Sequence, residues 1–100
     1  MSASPTWRLP PGSTHFLKTW PPYFQAIASG SKTFELRRND RGYAVGDILV
    51  LREFEPDVER YTDAPPLYRQ IIYIYYPIFL NPEDGGLHPD YVVMSIEPQE

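Results

Sequence analysis

Only one stretch of this chain has helical spacing. In "WPPYFQAIASG", from Trp20 to Gly30, the apolar residues Phe24, Ile27 and Ala28 fall at i, i+3 and i+4 and make one stripe. Pro21 and Pro22 suit a first helical turn, whose backbone N–H groups lack partners anyway. Gly30 is a natural left-handed stop, so the helix has two to three turns. The other apolar segments read as strands. "THFLKTW" alternates, with Phe16, Lys18 and Trp20 on one face and His15, Leu17 and Thr19 on the other. "KTFELR" turns Phe34 and Leu36 toward a core and Thr33, Glu35 and Arg37 the opposite way. "DILVLREFEP", "YRQIIYIYYPIF" and "YVVMSIEP" are three further strands. "RNDRGYAVGD" and "LNPEDGGLHPD" are turn-rich, and "DVERYTDAPPLY" is a polar loop. Helices do not alternate with strands, which argues against a parallel α/β sheet. The expectation is a mainly β (α+β) fold: a small curled barrel of about five strands with one or two short helices, a helix plugging one end.

A chain of 100 residues is one domain with a modest core. Residues 1–13 read as a flexible Pro/Ser-rich arm and 14–100 as the domain. The first residues lack a basic start followed by an apolar run, so they do not read as a secretory signal. No apolar run reaches the roughly 20 residues that span a membrane. There are no cysteines, which excludes disulfides, thiolate metal sites and a thiol nucleophile and fits a cytoplasmic setting. The net charge of −4 argues against a general duplex-DNA coat. Charge is unevenly placed, however. Lys32, Arg37, Arg38 and Arg41 crowd one segment with only Glu35 and Asp40 between them, while acids gather from Glu53 to Asp63 and at the C-terminus. A local basic patch on an acidic protein suits a small or single-stranded ligand.

Lys32, Thr33, Glu35 and Arg37 admit two readings. One is a solvated sheet face whose exposed ion pairs contribute little. The other is a polar cleft in which Lys32 and Arg37 hold an anion or a base edge and Glu35 accepts from an amino group or acts as a base. Trp20, Tyr23, Tyr43 and Phe54 are candidates for base stacking, with Phe54 better suited to a core. His15 and His88 read as structural. Asp47, after Gly46, reads as a turn residue. Gly85-Gly86 is a turn and not a phosphate loop, the tyrosine run reads as core plus one exposed face, and no acidic spacing makes a metal site. No cofactor is called for.

The segment "HFLKTWPPYFQAIASGSKTFELRRNDRGYAVGDILVLREFEP" resembles the ASCH superfamily, with its PUA-like β-barrel, and more narrowly the small bacterial and phage DUF3850 group. The matching positions are His15, Leu17, Lys18, Gly30, Lys32, Thr33, Glu35, Arg37, Asn39, Asp40, Arg41, Tyr43, Val45, Gly46, Asp47, Leu51 and Glu53, and "YVVMSIE" is similar to the closing strand. The resemblance spans roughly residues 14–97. It implies a cleft between helix and barrel, lined by the Gly-x-Lys-x-x-Glu-x-Arg segment with Lys32, Glu35 and Arg37, that binds RNA or a nucleotide. Lys18, Trp20, Thr33 and Tyr43 are expected to join them as binding residues, with Arg38, Asn39 and Arg41 on the rim.

Three functions follow as expectations. The first is binding of single-stranded RNA or a modified nucleoside. The second is a small nucleic-acid-processing enzyme with Lys32 and Glu35 as catalytic residues, since some ASCH proteins that this chain resembles hydrolyse N4-acetylcytidine and others are reported as ribonucleases. Those amidohydrolases carry Thr at the position of Glu35. Their further catalytic Glu lies in a longer insert where this chain has only "LNPEDGG", and Glu83 is a poor substitute. The third is a protein-interaction module that uses the loop from Glu59 to Leu67 and the arm, with an exposed hydrophobic patch as its mark.

Overall fold

Among the described residues, six strands and one helix follow one another as β1 (Thr14–Thr19), α1 (Pro21–Ala28), β2 (Phe34–Arg38), β3 (Ile48–Glu55), β4 (Arg60–Tyr61), β5 (Leu67–Tyr75) and β6 (Tyr91–Pro98). The computed structural model describes residues 12–77 and 87–99. The arm up to residue 11 and most of the "LNPEDGG" turn, with Glu83 and Gly85-Gly86, lie outside the described residues. The fold is mainly β with one helix, as the spacing indicated. β4 is an added two-residue strand inside the expected polar loop, folded back antiparallel on the end of β3.

The sheet order is β1-β3-β5-β6-β2. β1 runs parallel to β3 with Leu17 opposite Leu51, and the remaining pairs are antiparallel. Here the expected barrel is corrected, because the sheet does not close. β1 and β2 are its two edges and share no backbone ladder. β1 and β2 are joined through α1, and the helix packs against β3. Side chains bridge the seam between the two edges in place of a ladder. Arg37 Nη2 donates to the Lys18 carbonyl at 2.9 Å, and Arg41 Nη1 donates to the Phe16 carbonyl at 3.3 Å.

The core is built from period-two alternation. Leu17, Leu49, Leu51, Ile71, Ile74, Val92, Met94 and Ile96 point inward and are buried together, and α1 adds Ile27. Phe24 is buried too, whereas Ala28 lies exposed and does not complete the expected stripe. The helix starts on Pro21 and Pro22 and ends where Gly30 takes φ +88°. That conformation carries a strong penalty for other residues and lets Lys32 N–H donate to the Ala26 carbonyl at 2.9 Å. At the start of β3, buried Asp47 accepts from Ala44 N–H and from His15 Nε2 at 2.7 Å, with the Tyr43 ring 4.8 Å from the imidazole. His15 and Asp47 thus work as a buried structural pair.

The expected faces of β2 are reversed. Phe34 and Leu36, assigned to the core, are 43% and 46% exposed, while Glu35 is 3% exposed. β2 is an edge strand, and its inward side meets the polar seam beside β1 instead of the apolar core. A carboxylate with two cations beside it is the better occupant there.

Candidate functional site

The seam opens into a groove of about 850 Å³. One wall is the end of β1 and the start of α1, with Lys18, Thr19, Trp20 and Tyr23. The other is β2 with Lys32, Phe34, Glu35, Leu36 and Arg37, and Tyr91 borders it. Residues on the two sides of α1 in sequence face each other because the helix connects the two edges of the sheet.

Glu35 sits at its centre. Its Oε1 accepts from Lys32 Nζ at 3.1 Å and its Oε2 from Arg37 Nε at 2.7 Å. Lys32 Nζ also donates to the Phe34 carbonyl at 2.6 Å. Arg37 uses Nη2 on Lys18 and, at 3.3 Å, on the buried Thr19 hydroxyl. The Lys32 and Arg37 side chains are mostly covered, so these are not loose surface pairs of the kind that contribute little. Two cations against one carboxylate leave the groove floor with a surplus of positive charge. The Arg37 Nη1 group and the remaining Lys32 proton are donors for an anion, and Glu35 keeps lone pairs for a donor.

The walls are aromatic. Trp20 and Tyr23 are each about half exposed at the lip, where Pro21 and Pro22 set the entry to the helix. Lys32 Nζ lies 5.9 Å from the Tyr23 ring centroid and 4.6 Å from that of Phe34. Flat apolar walls above hydrogen-bonding groups are what a planar heteroaromatic ring requires.

Of the sequence candidates, Lys18, Trp20, Tyr23, Lys32, Glu35 and Arg37 come together in the groove. The rest do not line it. Thr33 is exposed and uses its carbonyl to accept from Ile96 N–H. Arg38 lies beside Tyr91, Asn39 N–H donates to the Asp90 carbonyl, and Arg41 braces β1. Tyr43 is buried in the core against His15 and cannot stack on a ligand. Burial raises its phenol above the ordinary value, and nearby Arg37 and Arg41 hold that rise back. Phe54 is half-buried away from the core, between Tyr61 and the Lys18 ammonium. Thr19, Phe34, Leu36 and Tyr91 were missed as lining residues. The alternation that puts His15, Leu17 and Thr19 on one face held the signal for Thr19.

Among the described residues, no group of three or more His, Asp or Glu could hold a metal ion. Nor is any helix among them long and apolar enough to cross a membrane. The family model described as Domain of unknown function (DUF3850) matches residues 14–96. Among curated proteins none matches the chain.

Proposed function

The chain belongs to the DUF3850 family, and for it we propose a binding function: the groove takes a nucleotide or a nucleotide unit of single-stranded RNA. One observation carries this reading. A buried carboxylate is held in place by two cations between aromatic walls. Glu35 would accept from an exocyclic amino group, as carboxylates do with cytosine N4. Arg37 Nη1 and Lys32 would meet phosphate or carbonyl oxygens. Trp20 or Tyr23 would stack on the base, a contact of about 1–3 kcal/mol. The likeness of the Gly-x-Lys-x-x-Glu-x-Arg segment to ASCH domains with a PUA-like barrel supports the same reading. So does the net charge of −4, which favours a short ligand over a duplex.

Binding is favoured over turnover by the geometry of Lys32 and Glu35. Each neutralises the other at 3.1 Å, and Arg37 adds a second cation to the carboxylate. A carboxylate so engaged serves better as a fixed acceptor than as a base that must take up a proton.

A thermal-shift panel tests the reading. It compares cytidine, N4-acetylcytidine, methylated cytidines, the nucleoside monophosphates and short single-stranded RNAs. A ligand that binds only the folded state raises Tm. The expected result is a base-dependent rise that is lost in Glu35→Gln and weakened in Trp20→Ala. A panel without any rise sinks the proposal. Cytidine released from N4-acetylcytidine would show that the groove is catalytic.

A further inference from the structure

The outward face of β5, β6 and β2 is apolar where an edge of a small sheet is ordinarily polar. The register sets Tyr73, Ser95 and Phe34 in one row across the three strands and Tyr75, Val93 and Leu36 in the next. Directly paired side chains in such rows are roughly 5 Å apart, and Ser95 and Val93 stand between the Tyr73 and Tyr75 rings of β5 and the Phe34 and Leu36 side chains of β2. Tyr73 is 60% exposed and Tyr75 49%. A bulge between Ile71 and Tyr73 re-aims the strand there and leaves Ile72 outside as well.

This face is continuous with the groove. Phe34, Leu36 and Tyr91 border both. Lys32 crosses between them, since its ammonium bonds Glu35 inside and lies over the Phe34 ring outside. Arg38 stands at the other end, 5.8 Å from the Tyr91 ring, with Asp40 and Asp90 close enough to temper its charge.

We infer that the outer face of β5-β6-β2 is a stacking platform for single-stranded nucleic acid, carrying the nucleotides adjacent to the one in the groove. This rests on the groove reading above. Bases stack on aromatic side chains with little regard to sequence, and flanking cations track the backbone. Continuity with the groove and the cations at both ends, Lys32 and Arg38, favour a strand of nucleic acid over a second copy of the chain.

The test uses fluorescein-labelled oligocytidylates of two and six nucleotides in fluorescence anisotropy, with cytidine monophosphate titrated calorimetrically in parallel. The proteins are the intact chain, a Tyr73→Ala/Tyr75→Ala variant, the matching double Phe variant, and Glu35→Gln. The hexamer is expected to bind at least fivefold tighter than the dinucleotide, about the gain from one stacked base. The double Ala variant loses that gain and keeps the mononucleotide affinity, and the double Phe variant retains the gain. Equal affinity for the two lengths, or a gain that survives in the double Ala variant, overturns the platform. So does a dimer in sedimentation that the double Ala variant dissolves. Mononucleotide binding without a length gain leaves the groove standing and removes the platform. A length gain without mononucleotide binding supports the platform and removes the groove. No binding of any probe removes both.

Discussion

Charge burial at Glu35 is costly unless it is matched, and the match here is specific. Lys32 and Arg37 each take one carboxylate oxygen, so neither cation can lose the acid without consequence. Glu35→Gln keeps the shape and leaves both cations part-buried without a counter-charge. Breaking a fully buried pair costs about 3–5 kcal/mol. Both cations retain some solvent, so about 1–3 kcal/mol is expected, read as a lower urea midpoint at unchanged slope. Tyr43 makes a pH statement. Its folded phenol titrates above the ordinary value, first through burial. The unfolded chain therefore gives up this proton first as pH rises. The stabilisation is complete below pH about 10 and is lost as pH climbs through the folded value. Tyr43→Phe is expected to lose less stability between pH 9 and 11 than the parent, measured by urea midpoints at both. Equal losses would contradict the assignment.

At the scale of elements, the helix exit and the sheet seam decide where the groove forms. Gly30 has φ +88° with open space where a Cβ would stand. Gly30→Ala thus meets strain and not a clash, at about 1–2 kcal/mol. A fall in Tm of roughly 4–16 °C is expected in calorimetry, at 4–8 °C per kcal/mol for a domain of this size. Much of this architecture was legible. The Pro-Pro start and the Gly30 stop located the helix, alternation located β1 and β2, and apolar runs located β3, β5 and β6. Face polarity in β2 was not legible. Alternation states which residues share a side but not which side is inward, and Phe34 and Leu36 were assigned by hydrophobicity alone. Only the topology shows that β2 is an edge facing a polar seam. Nor could alternation show that guanidinium groups would bridge the seam where a ladder was expected. Arg37→Ala is expected to speed amide hydrogen exchange at the facing ends of β1 and β2, with β5 and β6 unchanged.

On the scale of the molecule, a compact apolar floor supports a polar, partly open mouth. Leu51 is fully buried on β3, between β1 and β5. Leu51→Ala is expected to destabilise by about 2–5 kcal/mol through lost contacts and a residual cavity. Its binding, in the fraction that stays folded, should be unchanged. The charges from Lys32 to Arg37 were compatible with both a solvated sheet face and a cleft, and the family resemblance tipped the reading to the cleft. Tyr43 misled because its ring belongs to the His15–Asp47 pair, a contact between distant positions in the chain. The groove itself is tested most directly by titrating cytidine monophosphate into the isotope-labelled protein and following backbone amide resonances. Shifts concentrated at Lys18 to Tyr23 and Lys32 to Arg37, and absent in Glu35→Gln, are expected. Shifts confined to other surfaces, or none at saturating nucleotide, would contradict a nucleotide site in the seam.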